Sequence, residues 1–148
     1  MKMHDLNIVS PQDHIDFENY FNLRWEILRK PLGGSLSSVK DNLEDKSYHL
    51  MALFKNKIIG VGRLHSLDSN WCQIRYMGVL NAYRSREVGS EILKKIENYA
   101  KNNNKKYILL HARESALNFY IKNQYIFIEK SHLLLGKIQH YLMIKELN

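Results

Sequence analysis

The segment from Met77 to Ser90 combines small, apolar and cationic residues in a spacing that suits binding of an anionic group. An apolar run typical of a strand ends at Leu80, and helical periodicity begins at Arg84. A helix that starts there has unpaired backbone N–H groups and the positive end of its dipole at its N-terminus, where both face outward from the helix. Arg84 and Arg86 add charge, while Gly89 lets a bulky anion approach the backbone. We therefore predict a pyrophosphate site, with an ordinary charged helix start as the alternative.

Seven strands and four helices are predicted to position this segment within a single domain, residues 1–148. The strands are Leu6–Val9, Tyr48–Phe54, Ile58–His65, Trp71–Leu80, Tyr107–His111, Tyr125–Ile128 and His140–Leu147. The helices begin at Ser10 (N-cap, with Pro11 at N1), at Ser38 (to about Asp45), at Arg84 and at Ser115 (to Lys122). The order β-α-α-β-β-β-α-β-α-β-β indicates an α/β sheet with helices on its faces.

One strand carries a pattern that predicts which side chains share a face. Strict alternation along Trp71–Leu80 places Gln73, Arg75 and Met77 on one face. The opposite face then carries the intervening residues, Cys72, Ile74 and Tyr76.

Composition excludes several other classes of protein. No apolar run approaches the roughly 18 residues that a membrane span requires, and Met1–Asp5 lacks the apolar core of a signal peptide. The lone Cys72 excludes an internal disulfide, and no Cys/His cluster has zinc-site spacing, so we expect a soluble, cytoplasmic protein without a metal. The net charge of +7 is dispersed along the chain, which favours a lysine-rich surface over nucleic-acid binding. Part of the charge excess could serve an anionic cofactor.

The segment around Arg84 resembles the acetyl-CoA signature of the GNAT superfamily of N-acetyltransferases. That signature is Arg or Gln, two residues, Gly, one residue, then Gly or Ala, and Arg84 and Gly89 match it. Glu87 stands at the position of the central glycine, which brings a side chain and a negative charge toward the expected pyrophosphate. A carboxylate in a first helical turn also favours the helix dipole, so Glu87 could instead point outward.

A second resemblance lies downstream and concerns Tyr120. Ala116–Tyr120, followed by Asn123–Tyr125, is similar to the GNAT pattern of Ala, three residues, Tyr, then a turn into a strand. Leu23–Gly33 and Gly136–Met143 are similar to a GNAT subgroup of mostly unassigned substrate. These stretches occur in the same order along one chain, so the resemblance covers nearly its whole length.

The resemblance implies a GNAT-like mixed, mainly antiparallel sheet and direct acetyl transfer from acetyl-CoA to an amine, without a metal. It implies backbone donors near Met77–Val79 for the thioester carbonyl and Tyr120 as the acid that protonates the leaving sulfur. The implied cofactor-binding residues are Met77, Gly78, Val79, Arg84, Ser85, Arg86, Val88, Gly89 and Ser90.

The sequence gives weaker signals for the residues that bind the acceptor amine and accept its proton than for those that bind the cofactor. His140 matches the late histidine of the subgroup and could accept the ammonium proton, although histidines on strands are often structural. Arg24 and Arg75 are candidate substrate-binding residues that would suit an acidic acceptor, with ion-paired arginines as the alternative. Arg113, where many family members carry asparagine, would reach the cofactor or cap a carbonyl.

We therefore expect an N-acetyltransferase that acts on a primary amine of a small molecule or peptide. The alternative is a catalytically weak or inactive GNAT-fold domain that binds a CoA ester or a protein partner. Exposed sheet edges near the C-terminus favour a homodimer, and neither nucleic acid nor membrane is an expected partner.

Overall fold

Seven strands and three α-helices form one sheet and its flanking layers in the computed structural model, which describes residues 3–148. The strands are β1 (Leu6–Val9), β2 (Tyr48–Phe54), β3 (Lys57–Ser66), β4 (Trp71–Val79), β5 (Tyr107–Arg113), β6 (Ile126–Leu134) and β7 (Ile138–Glu146). The helices are α1 (His14–Leu28), α2 (Val88–Asn102) and α3 (Leu117–Lys122). The sheet order is β1-β2-β3-β4-β5-β7-β6, with β4 and β5 parallel and the other neighbours antiparallel. The predicted mixed, mainly antiparallel α/β fold is confirmed.

Helices cover both faces of the sheet, and glycines on β3 set how closely α2 packs. A methyl group added at Gly62 would lie 2.8 Å from Cγ2 of Ile92, so the helix sits almost on the backbone. Val61 points to the opposite face and packs with Tyr20 and Leu23 of α1. Within residues 3–148, no helix is long and apolar enough to cross a bilayer.

The first helix begins three residues later than predicted. Asp13, rather than Ser10, is the N-cap, and its Oδ1 accepts a hydrogen bond from the Asp16 amide at 2.8 Å. Oδ2 of Asp16 accepts in turn from the Gln12 amide at 2.9 Å. This reciprocal pair satisfies backbone N–H groups at the helix start.

The short helix predicted from Ser38 to Asp45 is wrong, because two 3-10 turns occupy this region instead. Asp41 and Glu44 direct their carboxylates at Arg63, with Oδ1 and Oε2 at 2.7 and 2.8 Å from its Nη1. Glu44 also lies 3.0 Å from Nη1 of Arg24, and both arginines are fully buried. Buried cations require counter-charges, so the segment adopts the conformation that delivers them.

A β-bulge in β4 overturns the predicted alternation from Tyr76 onward. Tyr76 has a left-handed backbone (φ +60°), and the pairing with β3 slips at this point. Its ring therefore joins Arg75 on the α1 face, where the guanidinium carbons of Arg75 and Arg24 lie 4.5 and 4.4 Å from the ring centroid. Met77 moves to the α2 face beside Gly62. An extra residue in one strand reverses the facing of every residue after it.

The parallel pair β4–β5 separates part-way along its length. The two strands pair only from Trp71–Tyr107 to Ile74–Leu110. Beyond Ile74, β4 pairs with β3 alone, while the end of β5 pairs with β7 alone. Two strand edges therefore face each other without ladder hydrogen bonds, and the space between them is open.

The last two strands are longer than predicted and extend the sheet. β7 begins at Ile138 and pairs with β5 on one side and β6 on the other. β6 runs to Leu134 at the sheet edge, where most of its side chains are exposed. Its large exposed apolar side chains are Ile126, Phe127, Ile128 and Leu133.

Candidate active site

Two adjoining cavities open where β4 and β5 separate. The helix-end groove, about 560 Å³, lies between the end of β4, the first turn of α2 and helix α3. The arginine cavity, about 310 Å³, contains the side chains of Arg29, Arg75, Arg113, His111, His132 and His140. The residues that line both cavities are Leu28, Met77, Arg113, Ala116 and Tyr120. The two cavities therefore share a wall.

Most residues predicted to bind the cofactor line the helix-end groove. They are Met77, Gly78, Val79, Arg84, Ser85, Val88, Gly89 and Ser90. Arg86 does not line the groove and is exposed to solvent. The structure thus gathers the predicted set, Arg86 excepted, around one cavity.

The α2 start leaves backbone donors without helical partners. The helix begins at Val88 rather than at the predicted Arg84, and its first α-helical bond joins the Glu91 amide to the Glu87 carbonyl at 3.0 Å. The amides of Val88 and Gly89 precede that bond, and no side chain caps the helix. Together with the helix dipole, these donors suit an anionic group in the groove.

Glu87 is the N-cap of α2 and has a left-handed backbone, with φ of +64°. An L-residue in this conformation costs roughly 1–2 kcal/mol, whereas glycine adopts it freely. The Glu87 position therefore favours glycine for a backbone reason, which sequence periodicity does not reveal. Glu87 also lines the groove. Its negative charge there counteracts the positive charges of Arg84, Arg113 and Lys122, which line the same groove.

Gly89 lines the groove and also allows a close packing contact within the protein. A methyl group added at Gly89 would lie 3.0 Å from Cζ of Phe119. A side chain at this position would require the Phe119 ring to shift away from the first turn of α2 by a few tenths of an ångström. This contact joins α3 to α2 along the groove.

Tyr120 stands in the wall between the two cavities and is 7% exposed. Its ring packs edge-on against Phe119 and Tyr125, at centroid distances of 5.0 and 5.7 Å. No hydrogen-bond partner of its hydroxyl occurs among residues 3–148, and burial raises its pKa well above that of a free phenol. The hydroxyl therefore stays protonated at neutral pH and is able to donate.

Arg113 caps the end of α1, one of the two roles that we predicted. Its Nη2 donates to the Leu28 carbonyl at 2.6 Å, and Nη1 of Arg29 donates to the same oxygen at 3.2 Å. Burial, and next the charge of Arg29, lower the Arg113 pKa. Two guanidinium groups thus converge on one helix C-terminus, whose negative dipole end stabilises them in part.

His140 lies in the arginine cavity within a cluster of three histidines. Its Nδ1 lies 3.0 Å from the Ile138 carbonyl and donates to it, which leaves Nε2 as the acceptor. The ring stacks on His132 at 4.4 Å, and His132 lies 5.3 Å from His111. Burial lowers the His140 pKa to about 4, and neighbouring positive charges add to this effect. The ring is therefore neutral at pH 7 and a weak base.

The two arginines predicted to bind substrate lie in different environments. Arg75 lines the arginine cavity and forms a half-exposed ion pair with Asp41 at 2.9 Å. Arg24 lines neither cavity, because its side chain is fully buried against Glu44 and the Val39 carbonyl. The prediction that Arg24 binds substrate is therefore wrong. The charge of Arg24 is paired with Glu44 inside the fold.

Arg29, His132 and Phe119 belong to the site but were not predicted. Arg29 lies within the Leu23–Gly33 stretch but carries no sequence signal of its own, because a cation at a helix end is ordinarily solvated. The pairing register of β6 with β7 brings His132 into the cavity, and no local sequence pattern predicts that register. Among residues 3–148, no group of His, Cys, Asp or Glu side chains is arranged to hold a metal ion.

We predict that folding stability decreases as the pH falls below about 6.5. In the folded protein the pKa of His140 is about 4, and burial also lowers the pKa values of His49, His65, His111 and His132. Unfolded histidines titrate near 6.5, so the unfolded state binds more protons in this window and is favoured.

Urea unfolding between about pH 7 and pH 4.5 measures this slope. His140→Gln should flatten it, whereas a substitution of the exposed His4 should leave it unchanged. A slope that is the same with and without His140 would contradict the burial argument.

Comparison with known proteins identifies the family. Residues 15–124 match the family model described as the acetyltransferase (GNAT) family. The uncharacterised N-acetyltransferase YjcF of Bacillus subtilis is 26% identical over 141 residues, covering 95% of this chain and 100% of that protein.

Solved structures of acetyltransferases share the fold. An aminoglycoside 6'-N-acetyltransferase complexed with coenzyme A has a TM-score of 0.80 at 12% identity, covering 96% of this chain and 97% of that one. A GNAT family acetyltransferase from Elizabethkingia anophelis with acetyl-CoA bound has a TM-score of 0.71 at 16% identity, covering 98% and 100%. With the separated strands and the family match over most of its length, the chain belongs to the acetyltransferase (GNAT) family.

Proposed function

We propose that this protein transfers the acetyl group of acetyl-CoA to a primary amine of a small molecule or peptide by direct attack. One observation carries the proposal: Tyr120 stands in the wall shared by the helix-end groove and the arginine cavity. A donor at that junction can reach a thioester held in the groove and an amine that approaches through the cavity.

Acetyl-CoA would bind in the helix-end groove as the cosubstrate that supplies an activated acetyl thioester. Its pyrophosphate fits the open N-terminus of α2, with Arg84 and Lys122 as nearby cations. The free edge of β4 beyond Ile74 offers unpaired backbone groups to the amide-bearing arm, as an added strand would use them. The groove volume of about 560 Å³ is typical of ligand sites.

Backbone N–H groups of Met77 to Val79 would stabilise the negative charge that develops on the carbonyl oxygen during attack. This stretch lines the groove and follows the bulge at Tyr76. Gly78 lets α1 support the strand closely, since a methyl group there would lie 2.7 Å from Cγ2 of Ile27. The oxyanion donors are thus held on a rigid strand.

Tyr120 would protonate the leaving sulfur. The amine nitrogen bonds to the carbonyl carbon, the carbon–sulfur bond breaks, and the phenolic proton passes to the thiolate. Burial raises the pKa of Tyr120 and keeps this proton in place until sulfur develops charge. Solvent then restores the proton to the phenolate.

His140 would relay the ammonium proton to solvent rather than store it. The ring is neutral at pH 7 and keeps Nε2 free to accept, but a pKa of about 4 makes it a far weaker base than an amine. A bound anion nearby would raise that pKa and improve the relay. Arg75, on the same cavity wall, would contact the acceptor.

A second function is favoured by Glu87 alone. Its carboxylate in the groove wall opposes the anionic cosubstrate, which suits a domain of weak or absent turnover that binds a CoA ester or a protein partner. Thiol release from acetyl-CoA in the presence of amines, measured in the native protein and in Glu87→Gly, separates the two functions.

A homodimer through β6 is also proposed, because this edge strand exposes large apolar side chains on a free edge. Sedimentation velocity should show a dimer for the native chain and a monomer for Phe127→Glu. A native chain that sediments as a monomer at tens of micromolar would contradict this interface.

Tyr120→Phe should lower kcat by about 100-fold or more, because general acid catalysis is lost while packing is kept. Acetyl-CoA affinity should change little. Thiol release during turnover measures the rate, and Tyr107→Phe, on the paired part of β5, is the matched control. An unchanged kcat in a folded Tyr120→Phe protein would remove Tyr120 from the mechanism.

Glu87→Gly should bind acetyl-CoA on the order of 10-fold more tightly, because a negative charge is removed from the groove. Its free energy of unfolding should rise by about 1 kcal/mol, because the backbone strain is removed. Glu87→Gln removes the charge and keeps the strained backbone, so the pair separates the two causes. Calorimetric titration and thermal unfolding give the two values. Unchanged or weaker binding by Glu87→Gly would show that Glu87 does not obstruct the groove.

A further inference from the structure

The arginine cavity is lined by three guanidinium groups, those of Arg29, Arg75 and Arg113. Within the described residues, its lining contains no aspartate or glutamate. The histidines beside them have lowered pKa values, first because of burial and then because of neighbouring charges, so they are neutral at pH 7 and supply hydrogen-bonding groups. Arg75 is paired with Asp41 at 2.9 Å, so the cavity's guanidinium groups without a counter-charge among the described residues are those of Arg29 and Arg113.

Arg29 is buried and Arg113 is half-buried, and neither has an acidic partner among residues 3–148. Arg29 is 6% exposed, and its hydrogen-bond acceptor among residues 3–148 is the Leu28 carbonyl, which Arg113 shares. No ion pair of either side chain with a carboxylate occurs in that part of the chain. Burial lowers the pKa of both groups, and for Arg113 the charge of Arg29 adds to it.

The same fold balances its other buried arginines. Arg24 and Arg63 are fully buried on the α1 face, and there Asp41 and Glu44 lie within 3.0 Å of their guanidinium nitrogens. A buried cation without a partner is costly, and the chain avoids that cost at Arg24 and Arg63 but not at Arg29. This contrast indicates that the counter-charge for Arg29 comes from a bound molecule.

We propose that the acceptor amine carries a carboxylate, which binds between Arg29 and Arg75 in the arginine cavity. The inference rests on the proposed acetyl transfer, since it names the acceptor class for that reaction. Arg29 and Arg75 line this cavity and not the helix-end groove, so phosphates of the cosubstrate do not meet both. A planar guanidinium fork matches a carboxylate, and the volume of about 310 Å³ suits a compact amino acid or a peptide end.

Product-like probes test the carboxylate without any turnover. N-acetylglycine, N-acetylalanine and N-acetylglutamate are each titrated beside the corresponding amide, with and without CoA, in a buffer of low anion content. We expect at least one acid to bind about 10- to 100-fold more tightly than its amide, the range for a charge-assisted pair. Equal binding of acid and amide across the panel would overturn the proposal.

Variants assign the preference to the cavity. Arg29→Gln should abolish the difference between acid and amide, and Arg29→Lys should keep part of it. Arg75→Gln, at a half-exposed position, should weaken the difference even if Arg29→Gln fails to fold. Lys101→Gln removes one exposed cation from α2 and should leave the difference unchanged. A preference that survives in folded Arg29→Gln and Arg75→Gln would place the carboxylate elsewhere and overturn the site.

Failure of this inference is distinguishable from failure of the proposed function. Thiol release from acetyl-CoA is measured with amino acids and with their amides as acceptors. Turnover of amides equal to that of the acids would leave the acetyltransferase activity intact and reject the carboxylate. Acid-selective probe binding without acetyl-CoA binding or turnover would support the anion site and reject the proposed reaction.

Discussion

The separation of β4 from β5 beyond the Ile74–Leu110 pair is the constraint on which the site depends. A continued ladder would fill the space that the helix-end groove and the arginine cavity now occupy. The left-handed bulge at Tyr76 re-aims the end of β4. Gly78 then allows Ile27 of α1 to brace that end from behind. Strand separation, bulge and glycine together leave a rigid edge with unpaired backbone groups, which is the feature a thioester site requires.

Charge is distributed unequally between the interior and the site. Arg24 and Arg63 are neutralised by carboxylates from the segment between α1 and β2, which fastens that segment to the sheet. Among residues 3–148, the hydrogen-bond acceptor of Arg29 and Arg113 is a shared carbonyl oxygen, and neither has a carboxylate partner. Structural cations are therefore paired within the chain, whereas cations beside Tyr120 remain available to a ligand. The net positive charge of the chain thus has a local component in the arginine cavity.

Periodicity and short motifs predicted the succession of seven strands along the chain, the groove-lining segment after β4 and the short helix that carries Tyr120. These features depend on residues that are near one another in the chain. The start of α1 was mispredicted because Asp13 competes with Ser10 as the N-cap. The segment after α1 was mispredicted because Asp41 forms an ion pair with Arg63, which is distant in the sequence. Alternation also failed at Tyr76, since a left-handed residue in a strand leaves no hydrophobic signature. Arg29 was not predicted as a site residue, because the lack of a carboxylate near its side chain among residues 3–148 is apparent only in the folded structure.

Calorimetric titration of the CoA-free protein with acetyl-CoA, beside an adenine nucleotide as the control, tests the central claim most directly. The groove, the open start of α2 and the unpaired edge of β4 predict saturable binding at one site per chain. They also predict that acetyl-CoA binds more tightly than the adenine nucleotide, because the nucleotide lacks the arm that β4 would hold. A folded, CoA-free protein that shows no binding would contradict the account and leave a GNAT scaffold that recognises a different partner.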